Sequence, residues 1–170
     1  VAMHPYYAKG WSRDRVYPWM GFEQMRFLEA YEDASYVRKY VSDRSDFAQI
    51  IREYERRDPD KPFFLFNVTM QNHGGYSQEF DNFTPHITVE GIRSQPLSNY
   101  LSLISLTDAA LEELISYFAQ EEDTIIVFFG DHQPNDTVAV PIWRENGVDI
   151  AAPTPEQEAL RYEVPYLIWA

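Results

Sequence analysis

The sequence contains no cysteine, which excludes disulfides, thiolate nucleophiles and cysteine-based zinc sites. It leaves the compartment open, because exported proteins do not all carry disulfides. Basic residues are scarce: 14 Lys and Arg stand against 27 Asp and Glu, for a formal net charge of -13. Nucleic acid held by a basic surface is therefore excluded as a partner, and so is docking on an anionic membrane through a basic patch. Long apolar runs are also missing. None approaches the roughly 20 residues of a membrane span, and the start Val1-Ala2-Met3-His4-Pro5 lacks signal-peptide architecture. A small anionic substrate remains possible, since a few focused charges in a pocket outweigh a distant surface field.

What is present is globular: 45% of the residues are hydrophobic and 16% aromatic, enough apolar surface to offset the entropy of ordering. Three apolar runs, 63–68, 124–129 and 164–169, predict buried strands. Their continuous apolarity suits strands covered on both faces of a parallel sheet. Leu97, Leu101, Ile104, Ala109, Leu111, Ile115 and Phe118 recur at three- and four-residue steps and predict a helix over about 97–119. A second helix is expected from near Ser45 to Arg57, with N-cap side chains in 42–46 and a stripe of Phe47, Ile50, Ile51 and Tyr54. Asp58-Pro59-Asp60-Lys61-Pro62 breaks it before the first strand. The order is that of an α/β domain with a mainly parallel sheet flanked by helices. The segments 74–96 and 133–163 read as long polar excursions from the C-terminal ends of strands, where open α/β sheets bind ligands.

Three segments carry possible chemistry. In Phe128-Phe129-Gly130-Asp131-His132 a strand stops at a glycine and presents a carboxylate beside an imidazole. That is a half-site for a divalent cation, with Gly130 allowing close backbone approach; the plainer reading is a turn-capping Asp and a surface His. In 67–76 another strand runs into His73-Gly74-Gly75, where His73 could hydrogen-bond a phosphoryl oxygen or merely cap its own loop. The segment 4–17 packs His4, Trp11 and Arg13 together. There a guanidinium could grip phosphate in two parallel hydrogen bonds and an indole could wall a glycerol-sized group, or the segment could be packed aromatic surface with Arg13 paired to an acid.

In order along the chain, Val16-Tyr17, Gly21-Phe22, Pro62-Phe63-Phe64-Leu65-Phe66, Gln71-Asn72-His73-Gly74-Gly75-Tyr76, Tyr100-Leu101, Asp108-Ala109-Ala110-Leu111 and Phe129-Gly130-Asp131-His132 resemble the lipoteichoic acid synthase and phosphoglycerol transferase family. That family is sulfatase-like and belongs to the alkaline phosphatase superfamily. The resemblance covers nearly all of the chain and weakens over 135–161. It implies an incomplete domain, with residues 1–170 forming the C-terminal part of an extracytoplasmic catalytic domain. In this reading Asp131 and His132 are ligands of one Mn²⁺ or Mg²⁺ ion, held weakly or not at all by residues 1–170 alone. His4, Trp11, Arg13 and His73 contact the phosphoglycerol group.

The same resemblance implies a threonine nucleophile upstream of Val1, because Thr69 and Thr107 do not match its position, and hence no catalytic residue within 1–170 and no activity of this segment alone. It further implies a phosphatidylglycerol-like lipid donor, a glycan or glycerolphosphate acceptor, upstream membrane helices and a place on the outer side of the bacterial cell membrane. Gln133-Pro134 follow the Asp-His pair where the best-known lipoteichoic acid synthases have Tyr-Gly, a variant closer to related exported phosphoglycerol transferases. The competing readings are a sulfatase or phosphoethanolamine transferase of the same fold, and a non-catalytic binding domain that retains it.

Overall fold

The structure, a computed structural model, describes residues 1–31, 33–121 and 123–170. It divides into two compact units. One comprises 1–73, 80–83 and 106–114, and the other 74–79, 84–105 and 115–170.

The first unit is built on three short parallel strands, β1 (Ala2–Met3), β2 (Met25–Arg26) and, after an antiparallel pair, β5 (Phe66–Asn67), in the order β2-β1-β5. Ala2 pairs with Met25 and Phe66, and Met3 with Arg26 and Asn67. Successive residues of a strand face opposite ways, and both faces of β1 are covered. Ala2 packs with Tyr17 and Phe27 on one side, while Met3 packs with Tyr31 and Val41 on the other. Tyr17 comes from the helix α1 (Arg13–Trp19). Between β2 and β5 lie the hairpin β3 (Tyr36–Val37) and β4 (Tyr40–Val41), then the helix α2 (Asp43–Glu55).

Helix α2 forms where expected, capped by the Ser42 side chain, which accepts from the Ser45 amide. Its buried face differs from the apolar stripe read in the sequence: Asp43, Asp46, Gln49 and Glu53 are buried with Phe47, while Ile50, Ile51 and Tyr54 are half-buried. Each of these side chains has a partner, although Asp43 Oδ1 is buried without one. Asp46 accepts from the Tyr31 hydroxyl and from Asn67 Nδ2, both at 2.7 Å. Asp43 Oδ2 accepts from Thr107 Oγ1 at 2.6 Å, Gln71 Oε1 accepts from the Asp43 amide, and Arg26 binds Glu53 at 2.8 Å. The helix start is thereby fastened to β5, to the loop after it and to the stretch of the next helix that belongs to this unit.

That next helix, α3 (Gln95–Phe118), is capped by Ser94 and has a proline in its first turn. Its buried residues include Leu97, Leu103, Leu111 and Phe118, whereas Ile104 is exposed. In the second unit β6 (Ile126–Phe129) and β7 (Tyr166–Trp169) form the two remaining expected strands, but they pair antiparallel. Coverage on both faces is not observed: Ile125, Val127, Phe129, Tyr166 and Ile168 are all exposed, and the pairing of Val127 with Ile168 and of Phe129 with Tyr166 puts them on one face. The supposed excursion 133–163 contains two helices, α4 (Asp136–Glu145) and α5 (Pro155–Leu160), the latter with a Thr154/Gln157 capping box. Among the described residues no helix is long and apolar enough to cross a membrane.

Burial raises the carboxyl pKa of Asp43 to about 6 and that of Asp46 to about 7, against the opposing pull of their hydrogen bonds; the Asp43 charge adds to the rise at Asp46. A carboxyl with a raised folded pKa favours the folded state below its unfolded value near 4 and loses that contribution as pH climbs through the folded value. Stability should therefore fall between about pH 4 and pH 7. Asp46→Asn should flatten this slope and raise stability at pH 8 by about 2–4 kcal/mol. A turn of the Asn67 amide would offer its otherwise unpartnered Oδ1 to the new amide. Thermal unfolding of both proteins from pH 4 to pH 8 checks this; equal slopes would contradict it.

Candidate functional site

The C-terminal end of β1 delivers His4 into a fully buried position. Its Nδ1 lies 2.8 Å from the Val68 carbonyl, and because a carbonyl only accepts, Nδ1 carries the proton and Nε2 presents a lone pair. That Nε2 is buried without a protein partner. Burial, helped by the nearby Arg13 and His73, lowers the His4 pKa to about 4 against the effect of the Val68 bond. His4 is therefore neutral at physiological pH.

Seven residues on, a 3₁₀ turn at Gly10–Ser12 leads into α1. Trp11 and Ser12 have φ of 52° and 55°, the left-handed region that costs a residue with a Cβ on the order of 1–2 kcal/mol. The strained turn holds Trp11 56% exposed, with its ring edge-on to two imidazoles, 5.7 Å from His4 and 5.6 Å from His73. Arg13, the first residue of α1, places its guanidinium carbon 5.3 Å from the Trp11 ring centroid and 5.7 Å from that of Tyr17. Its Nη1 donates to the Tyr17 hydroxyl at 2.6 Å, and Nε is buried without a protein partner. Among the described residues no acid pairs with Arg13. The alternative of a guanidinium spent on a neighbouring carboxylate does not hold there.

His73 follows β5, adjacent and parallel to β1, so the two strands deliver both imidazoles at one edge of the sheet. Two residues not singled out in the sequence hold it. Arg38, at the tip of the β3–β4 hairpin, donates from Nη2 to the carbonyls of Gln71 and His73, each at 2.7 Å. The Tyr40 hydroxyl lies 3.1 Å from His73 Nδ1. No local pattern announces these residues, because their partners are more than 30 positions away. Thr107 is buried in its bond to Asp43 and serves the fold.

Asp131 and His132 follow β6 in the second unit. Both side chains are about three-quarters exposed, with His132 Nε2 3.6 Å from Asp131 Oδ2. His132 Nδ1 is 2.7 Å from the Gln133 carbonyl, so Nδ1 carries the proton and Nε2 offers its lone pair on the Asp131 side. A carboxylate oxygen and an imidazole nitrogen at that separation can both reach one cation at roughly 2.0–2.2 Å. Among the described residues no group of three or more His, Asp or Glu is assembled to hold a metal. A methyl group on Gly130 would meet Val164 at an ordinary 3.5 Å; the surrounding protein does not demand glycine there.

The chain has relatives among known proteins. A Rhizobium meliloti (strain 1021) protein named for cyclic beta-1,2-glucan modification is 33% identical over 178 aligned positions, 99% of this chain and 27% of that protein. The capsular polysaccharide biosynthesis protein RkpI of the same organism is 29% identical over 134 positions, 78% of this chain and 23% of its own length. The chain thus spans about a quarter of the length of these curated relatives. Among solved structures, the Streptococcus pyogenes phosphoglycerol transferase GacH, in complex with sn-glycerol-1-phosphate, superposes with a TM-score of 0.68 at 23% identity over 99% of this chain and 42% of its own. The lipoteichoic acid synthase LtaP of Listeria monocytogenes gives 0.71 at 20% identity over 98% and 42%. A Vibrio parahaemolyticus protein of the alkaline phosphatase superfamily gives 0.63 at 19% over 99% and 37%. At such identities the likeness is one of fold, the α/β fold of that superfamily. The sulfatase family model matches residues 1–170, and the chain belongs to the sulfatase family.

Proposed function

We propose that the protein is a metal-dependent phosphoglycerol transferase of the bacterial cell envelope. It takes phosphoglycerol from a phosphatidylglycerol-like lipid and passes it to a glycan or glycerolphosphate acceptor, through a threonine nucleophile outside residues 1–170. The observation that carries this reading is the cluster around Trp11: an exposed indole held on strained backbone, flanked by two imidazoles and by an arginine without an acidic partner among the described residues. Its chemistry suits a small phosphorylated polyol. The complex named in the GacH structure, with sn-glycerol-1-phosphate, supports the donor group. The names of the two Rhizobium relatives, which concern a glucan and a capsular polysaccharide, support a glycan acceptor. In this reading the catalytic domain lies outside the cell membrane, anchored by helices elsewhere in the protein.

Each side chain has a role that follows from its surroundings. Arg13 binds phosphoryl oxygens through the guanidinium edge not used by Tyr17. Trp11 packs on the glycerol carbons, and His4, a neutral lone-pair acceptor, receives a glycerol hydroxyl. His73 donates to a phosphoryl oxygen. Asp131 and His132 fit as part of the shell of one Mn²⁺ or Mg²⁺ ion, with further ligands supplied from beyond them. When bound, such an ion lowers the pKa of an attacking hydroxyl and offsets charge on the phosphoryl group.

The test is release of diacylglycerol from a phosphatidylglycerol analogue by the whole protein with Mn²⁺. Arg13→Ala removes charge-assisted hydrogen bonds worth about 1.5–3 kcal/mol each, so the rate should fall at least about tenfold. His132→Ala should cost more and raise the Mn²⁺ concentration needed for half-maximal rate. Residues 1–170 alone should show no turnover and only weak Mn²⁺ binding by calorimetry. Unchanged rates in His132→Ala would overturn the metal assignment. Turnover of a sulfate ester or of phosphatidylethanolamine in place of phosphatidylglycerol would overturn the substrate.

A further inference from the structure

Helix α1 exposes most of what it carries. Within Arg13–Trp19 only Tyr17 is buried and Arg13 half-buried; the other five residues are exposed, as is Met20 after them. Val16, Trp19 and Met20, spaced i, i+3 and i+4, share one face of the helix. Trp19 is 79% exposed and Met20 60%. A surface helix normally turns such a stripe toward the core. Here Tyr17, from another side of α1, is the residue sunk beside Ala2 and Phe27, and the stripe faces out. Tyr7 and Trp11, in the segment leading into the helix, are exposed too, so five large apolar side chains lie in the open within fourteen residues.

The charge of this segment runs against that of the chain. From Tyr6 to Phe22, Lys9, Arg13 and Arg15 stand against Asp14 alone, whereas the whole chain carries -13. Asp14 falls on the side of the helix away from the stripe. Arg15 borders the stripe, its guanidinium carbon 5.7 Å from the Trp19 ring centroid. Among the described residues no acid forms an ion pair with Lys9 or Arg15. Tryptophan settles at the boundary between headgroups and acyl chains, while Lys and Arg lay their stems on apolar surface and keep their charges among the headgroups.

We infer that α1 docks on an anionic bilayer with its Val16, Trp19 and Met20 stripe in the headgroup layer, bringing the Trp11 cluster to phosphatidylglycerol headgroups at the membrane surface. The inference deepens the phosphoglycerol reading and rests on it for the identity of the lipid. A headgroup stays tied to its acyl chains, so a site that binds one has to come to the membrane. Helix α1 is placed to bring it there. Arg13, its first residue, leans on Trp11, and Trp19 lies about 9 Å further along the axis, so the anchor and the cluster are neighbours. The net charge excludes docking through a broad basic patch, and the contact here is of another kind. Apolar side chains make it and two cations border it, a combination that binds anionic bilayers by buried apolar area together with electrostatic attraction.

Fluorescence quenching in the whole protein, reconstituted in phosphatidylglycerol bilayers, reads this contact without reference to activity. Bimane attached at Met20→Cys should be quenched by lipids brominated near the glycerol end of their acyl chains, and shielded from iodide in the water. Replacing phosphatidylglycerol by phosphatidylcholine, or adding Trp19→Ser, should cut the bromolipid quenching at least about twofold. A bimane open to iodide and untouched by bromolipid would overturn the proposal. One shielded from both would overturn it as well, and would mean that another part of the protein or a second copy covers the stripe. Bromolipid quenching that is the same in phosphatidylcholine and in Trp19→Ser would also count against it. Bimane at Val16→Cys, on the same face, gives the same readout if Met20→Cys fails to fold. Turnover of phosphatidylethanolamine in place of phosphatidylglycerol would overturn the donor reading while the quenching result stands.

Discussion

The start of helix α2 holds the site's half of the molecule together. Asp43 and Asp46, a turn of helix apart and both fully buried, reach in different directions. Asp46 ties Tyr31 to Asn67 of strand β5, and Asp43 with Gln71 and Thr107 ties the loop after β5 to helix α3. Removing one partner from such a network leaves a desolvated polar group, so its members are tightly interdependent. The arrangement is costly, since burial raises both carboxyl pKa values, and it places six side chains where apolar ones would pack with less demand on geometry. What it secures is the position of residues 67–73, and hence of His73.

From that anchor the local environment of the candidate site follows. Strands β1 and β5, side by side and parallel, release His4 and His73 at the same edge, as sheet topology requires of ligands at the C-terminal ends of parallel strands. The left-handed backbone at Trp11 and Ser12 sets the indole against both rings, and Arg13 leans on the indole from the first turn of α1. In a chain of formal charge -13, a guanidinium without an acidic partner among the described residues, beside an exposed tryptophan, is a local reversal of sign. That reversal is what an anionic headgroup would recognise.

Much of this was legible in the sequence. The apolar runs ending at Val68, Phe129 and Trp169 mark β5, β6 and β7, and the three- and four-residue recurrences mark α2 and α3. The spacing of His4, Trp11 and Arg13 put these residues in one segment, and the chain belongs to the sulfatase family, of which the motif order was one sign. Strand direction was not legible, because an apolar run carries no sign of its partner's polarity; β7 therefore turned out antiparallel to β6. Helices α4 and α5 were hidden in a polar stretch by Pro141 and by α5's shortness, though the Thr154-Pro155-Glu156-Gln157 start is a capping-box pattern. The buried acids of α2 broke the expectation of an apolar stripe, since their partners Asn67 and Thr107 lie 21 and 64 residues away. Tyr40 and Arg38 were invisible for the same reason.

The central claim is that the cluster around Trp11 is a phosphoglycerol subsite, and titration of the protein with sn-glycerol 1-phosphate, followed through the Trp11 indole N–H and the ring nitrogens of His73, tests it most directly. The account predicts saturable shifts of both signals, with affinity at least about tenfold weaker in Arg13→Ala. Signals that stay in place at saturating ligand, or that move with the same affinity in Arg13→Ala as in the wild type, would contradict it.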